Sequence, residues 1–188
     1  MKNSQLKGLS VISIAEGKKL GTVARVFFDP ATQQVVGFEV HQGGGLLGPE
    51  PDRSGMIEVA EVQALGPDAL MIADESALRS QETAGPSADL IELDTLTSRK
   101  VVAEGGTQVG AVASVDVDEG TFHLRSVEVS PGFFQTNREI PADQVVSVGI
   151  DVLVVTDAVC APAPAADAGS PPADAGRHFV VVDERTPD

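Results

Sequence analysis

The side chains that could carry chemistry in this 188-residue chain are few and lie far apart. The glycine cluster GGGLLG at 43–48 has the freedom of a phosphate-binding loop. No Gly-Lys-Ser/Thr follows it and no helix start is expected after it, so it reads as a hairpin loop. DVDEG at 116–120 begins like a calcium loop, but Gly120 stands where the fifth-position ligand belongs. Its counterpart in the first half, FFDPA, has a single acid, so a hairpin turn is the better reading. His41, His123 and His178 have no His or Cys at ligand spacing. No nucleophile elbow of the form Gly-x-Ser-x-Gly occurs. Cys160 is the only cysteine and heads an Ala/Pro stretch, so it cannot form an intrachain disulfide, and its setting suits a reducing compartment better than a catalytic thiol. The acids Glu39/Glu128 and Asp29/Asp118 recur in register and read as a solvated face and a turn. The expectation is no catalytic residue, no cofactor, no metal and no enzyme.

The elements that carry these residues repeat. LGTVARVFFDPATQQVVGFEV (20–40) returns as VGAVASVDVDEGTFHLRSVEV (109–129) at an offset of 89, with eight of 21 positions identical and no gap. Further on, IEVAEVQALGPDALMIAD (57–74) returns as IPADQVVSVGIDVLVVTD (140–157) at an offset of 83. Only the loop between these blocks changes length, which is the behaviour of two copies of one fold. Short apolar runs separated by turn residues predict an all-β chain. Strands are expected near 9–14, 20–28, 35–41, 56–59, 62–65 and 69–73, then near 99–103, 108–117, 121–129, 138–140, 144–148 and 152–156. Unbroken alternation puts Ala24, Val26 and Phe28, with Ala113, Val115 and Val117, on the core face. Arg25/Ser114 and Phe27/Asp116 then fall on a wet outer face, which leaves Phe27 as an exposed apolar residue. Gly21/Gly110 marks a bulge or tight bend.

A six-stranded sheet this small has two poor edges unless it closes into a barrel. The pattern Gly-x-Val-x-x-Val-x-x-Asp, then a Glu-Val strand, a glycine-rich loop and IPADQVVSVG resembles the PRC-barrel family. That domain occurs in the photosynthetic reaction-centre H subunit and the ribosome-maturation factor RimM. The resemblance implies two tandem small β-barrels, and it implies action by docking on other proteins. The organisation read from the chain is a first unit at 1–75, a linker at 76–92, a second unit at 93–159, a Pro/Ala-rich tether at 160–176 and a C-terminal β-forming peptide at 177–188.

Charge and hydropathy narrow the partners. The net charge is −15, distributed as −3 over residues 1–80, −9 over 81–157 and −3 over the rest. Such a surface repels nucleic acid and anionic lipid and favours solubility. MKNSQLKG lacks the apolar core of a signal peptide, and no apolar stretch approaches the ~18 residues of a membrane span, so a cytoplasmic location is expected. Candidate contact residues are the loop pairs Leu46-Leu47 and Phe133-Phe134, which plug the barrel ends, meet each other or meet a partner. Phe27 joins them, as does the β-branched run Phe179, Val180, Val181 and Val182, which is expected to dock as a strand in its own chain or in a neighbour. The function expected is a non-enzymatic scaffold or adaptor that binds a protein partner or self-associates. The alternative is a stress-related protein that binds a small molecule or ion in a cleft between the barrels.

Overall fold

The computed structural model describes residues 1–43, 53–80, 89–132 and 136–160. Two curled sheets share one strand order. In the first half, β1 (Ser10–Ser13), β2 (Lys18–Asp29), β3 (Gln34–Gln42), β4 (Arg53–Glu58), β5 (Val62–Leu65), β6 (Ala69–Ile72) and β7 (Arg79–Ser80) run β5-β6-β1-β2-β3-β4-β7 across the sheet. In the second half, β9 (Lys100–Ala103), β10 (Gln108–Val117), β11 (Leu124–Ser130), β12 (Arg138–Pro141), β13 (Val145–Val148) and β14 (Val152–Val155) run β13-β14-β9-β10-β11-β12. The first strand of each copy pairs in parallel with the sixth, β1 with β6 and β9 with β14. A 3₁₀ corner after the fourth strand, Val59–Glu61 or Ala142–Gln144, turns the chain back along the seam of the half-barrel.

Each long strand carries a bulge at the same place. The register shifts between Val23 and Arg25 in β2 and between Val112 and Ser114 in β10. An extra residue flips the phase of alternation. Val23 and Val112 are therefore buried, while Ala24 and Ala113, expected on the core face, are only half-buried. Beyond the bulge Val26, Phe28, Val115 and Val117 point into the core as the pattern requires.

The halves are intertwined. A one-turn helix α1 (Asn3–Leu6) precedes the first sheet but packs on β10 of the second. Its counterpart, strand β8 (Ile91–Glu92) followed by the 3₁₀ turn Leu93–Leu96, precedes the second sheet but packs on β2 of the first, pairing Phe27 with Glu92 and Phe28 with Ile91. The segment expected to be a linker thus ends in a strand that belongs to the other copy's sheet. Leu6, Leu93 and Leu96 are at most 1% exposed, and the buried side chains of both sheets form one continuous cluster. Burying each such leucine is worth about 1.5–3 kcal/mol.

A local two-fold axis passes between Gln34 and His123, which bridge each other across the seam. Val35 N–H donates to the Phe122 carbonyl at 2.9 Å and Leu124 N–H to the Gln33 carbonyl at 2.8 Å. The offset of 89 carries Val35 onto Leu124 and Gln33 onto Phe122, so these two bonds are images of one another. Gln33 (φ 54°) and Phe122 (φ 61°) both adopt the left-handed conformation that turns their carbonyls across the seam. The Phe122 ring meets Phe38 edge to face at a centroid distance of 6.1 Å. The repeat in the sequence has become a pseudo-symmetric pair of half-barrels.

Candidate functional site

The outer faces of the two sheets use equivalent positions differently. In the first, Glu39 is buried and its Oε2 contacts Arg25 on the neighbouring strand, without a well-aligned hydrogen bond. Arg25 also lies 5.6 Å from the centroid of the Phe27 ring. Phe27 is 5% exposed, which corrects the expectation of an apolar residue on a wet surface. The exchanged strand β8 runs beside it and Arg25 lies over its ring, so the face that alternation marked as wet is partly covered.

In the second sheet Ser114 stands at the place of Arg25, Asp116 at that of Phe27 and Glu128 at that of Glu39. The cation comes instead from the other half. Lys2 Nζ donates to Glu128 Oε2 at 2.7 Å, joined by Ser114 Oγ at 2.8 Å and, on Oε1, by Asn137 Nδ2 at 2.8 Å. Ser126 Oγ donates to Glu139 Oε1 at 2.6 Å beside them. These groups line a hollow of about 310 Å³. The Lys2 hydrogen bond, then those from Asn137 and Ser114, pull the Glu128 carboxyl down to about 2. The Lys2 ammonium is correspondingly raised, by its hydrogen bond to Glu128 and then by that carboxylate's charge. One residue on, Asn3 is buried: its Nδ2 donates to Asp94 Oδ1 at 3.0 Å, and its Oδ1 accepts from Val115 N–H at 3.2 Å. The arrangement clasps the α1 leader onto β10.

A carboxylate that ionised is a poor proton carrier near neutrality, and three protein donors already bond its two oxygens. Glu128→Gln is expected to remove an acid-sensitive contact. The folded carboxyl lies near 2, below its usual value of about 4.3. Its stabilising contribution is therefore full above ~4.3 and fades as pH falls towards 2. Urea midpoints measured from pH 6 to pH 2 should fall less steeply for Glu128→Gln than for the parent; parallel curves would refute the clasp.

The other sequence candidates among the described residues do not converge. Asp29 accepts from Ala31 N–H at 2.9 Å and Thr32 Oγ1 at 2.8 Å, and Asp118 accepts from Gly120 N–H at 3.0 Å and from Thr121 N–H at 2.8 Å. These turn bonds lower both carboxyls, so DVDEG is a hairpin turn built as its counterpart is. His41 Nδ1 lies 3.4 Å from Ser54 Oγ, while His123 bridges Gln34 across the seam. Among the described residues no three His, Cys, Asp or Glu side chains gather as metal ligands, and no helix is long and apolar enough to cross a membrane. Leu46, Leu47, Phe133, Phe134, His178 and Phe179–Val182 lie outside the described residues. Two further hollows, of about 580 and 370 Å³, flank the stems of the loops that carry the Leu-Leu and Phe-Phe pairs. Sequence reasoning missed Lys2, Asn3 and Asn137 because their partners lie in the other half or across a loop of variable length.

No curated protein matches the chain. The PRC-barrel domain family matches it twice, over residues 1–77 and again over 88–158. These matches cover most of the chain and coincide with the two sheets and the leaders they exchange, so the protein belongs to the PRC-barrel family as a tandem of two such domains.

Proposed function

We propose that the protein is a non-enzymatic scaffold or adaptor, working in the cytoplasm, that docks on a protein partner through its β-barrels. The observation that carries this reading is an apolar hairpin present in one copy only. Val146, on edge strand β13, is 47% exposed and Ile150, at the β13–β14 turn, is 83% exposed. The first copy has Gln63 and Pro67 at these positions. An exposed β-branched pair beside a strand edge that is unpaired among the described residues offers both side chains and backbone groups to another protein. The surrounding half of the chain carries −9 of the charge, so the partner should present an apolar pocket rimmed by basic groups.

The test is the double variant Val146→Asp, Ile150→Asp. Both side chains are exposed, so stability should stay within about 0.5 kcal/mol of the parent. Proteins cross-linked to the parent in cells should be lost from the variant. Retention of the same cross-linked proteins would reject this surface. A small molecule or ion that raises the melting temperature of parent and variant alike would favour a ligand-binding role instead.

A further inference from the structure

The two sheets differ at one edge, and the difference suggests where the end of the chain goes. In the first sheet the outer edge of β4 is covered by β7, with Gly55 opposite Ser80 and Met56 opposite Arg79. Three features hold β7 there. Arg79 pairs with Glu58 at 3.0 Å and with Glu61 at 3.6 Å. Leu78 packs over Gly55, where an added Cβ would meet its Cδ1 at 2.7 Å. Arg79 and Ser80 also supply the backbone of an ordinary strand.

The offset of 83 carries each of these residues onto one that cannot serve. Arg79 becomes Pro162, Glu58 becomes Pro141, Glu61 becomes Gln144, Leu78 becomes Ala161 and Gly55 becomes Arg138. The short cap loses its ion pairs and its leucine plug. It also loses a backbone donor, since proline has no N–H. Among the described residues nothing pairs with the outer edge of β12. An open edge of this kind is an aggregation hazard that folded proteins generally cover.

We propose that residues Phe179–Val182 of the same chain pair with the outer edge of β12. The inference is independent of the Val146/Ile150 surface, which lies on the opposite edge strand. Four strand-forming residues match the four-residue length of Arg138–Pro141. The chain leaves the described region beside this edge, because the Arg138 guanidinium donates to the Val159 carbonyl at the end of the last 3₁₀ turn. Eighteen residues separate Cys160 from Phe179. A chain of that length spans about 25 Å when coiled and about 55 Å when extended, so the segment can return to the edge without strain. A tether this short holds the segment at an effective concentration on the order of millimolar, which favours its own chain over a neighbour's at micromolar protein.

Amide hydrogen exchange tests the pairing on three proteins: the full chain, the chain ended after Gly176, and the full-length Val181→Pro variant. In the full chain, amides of 179–182 should exchange at least tenfold more slowly than those of 165–175. The outward amides of β12 should speed up by a similar factor in both altered proteins, while β11 stays protected. Exchange of 179–182 at the rate of the tether would overturn the proposal. So would protection of that segment with β12 indifferent to its removal. Protection that fades on dilution, together with a dimeric mass by light scattering, would assign the edge to a second copy and reject docking within the chain. The Val146→Asp, Ile150→Asp protein should keep the full-chain exchange pattern whether or not it has lost a partner.

Discussion

Leu93→Ala and Leu96→Ala are each expected to lower stability by about 2–5 kcal/mol and to weaken both half-barrels together. Both side chains are fully buried. Both lie in the leader of the second copy, directly after the strand that pairs with β2 of the first. A cavity there removes contacts from a cluster that spans both sheets. Two independent tandem barrels would respond differently, since damage to one would leave the other untouched. Calorimetry should show one transition shifted downward, and exchange of the β3 and β11 amides should accelerate by the same factor. Wild-type protection of β3 in a protein whose β11 has become labile would show that the exchanged leaders do not couple the halves.

The duplication and the strand positions were legible in the sequence because an offset repeated over dozens of residues constrains the fold more tightly than local propensity does. Asp29/Asp118 and Thr32/Thr121 recur because each turn needs the same side-chain acceptor and the same hydroxyl. Three features were not legible. The bulge at Ala24 and Ala113 breaks a period of two, and the residues that form it are ordinary strand formers. The exchange of leaders rests on Asn3, Leu6, Leu93 and Leu96, each of which packs on a strand of the other half, and no local pattern encodes such a crossing. Burial of Phe27 follows from that exchange, because the strand beside it comes from the end of the expected linker.

The outer-face chemistry was hidden for the same reason. Glu39 and Glu128 are identical in register and could be read as one solvated face. Their environments differ because Arg25 on the adjacent strand serves the first, whereas Lys2, brought across by α1, serves the second. A repeat shows which positions correspond. It does not show which copy's leader will supply the counter-ion. The two copies have also diverged in opposite senses at their edges: the first carries a cap held by Arg79 and Glu58, and the second has Pro162 and Pro141 at those positions and adds Val146 and Ile150 on its other side.

Gly21→Ala and Gly110→Ala are expected to cost about 3 kcal/mol each, and nearly the same amount as each other. Both residues sit where the long strand approaches the end of its neighbour. A Cβ at Gly21 would run into the His41 carbonyl oxygen and within 2.7 Å of Val40 Cγ1. A Cβ at Gly110 would meet the Ser130 carbonyl in the same way and come within 2.9 Å of Val129 Cγ1. The obstacle is backbone already tied into the β2–β3 and β10–β11 ladders, so it can yield only by breaking the register on which the bulge depends. Two other glycines separate this steric cause from conformational strain. Gly106 has φ +84° and open space around it, so Gly106→Ala should cost only about 1–2 kcal/mol, from the left-handed backbone alone. Gly120 would place its Cβ 3.6 Å from Asp118 Oδ1, an ordinary contact, and Gly120→Ala should fall within about 0.5 kcal/mol of the parent. Urea unfolding of the four variants gives the ranking directly. Gly110→Ala no less stable than Gly120→Ala would mean that β10 and β11 can separate at their ends without cost. The identity of Gly21 and Gly110 across the repeat would then need another cause.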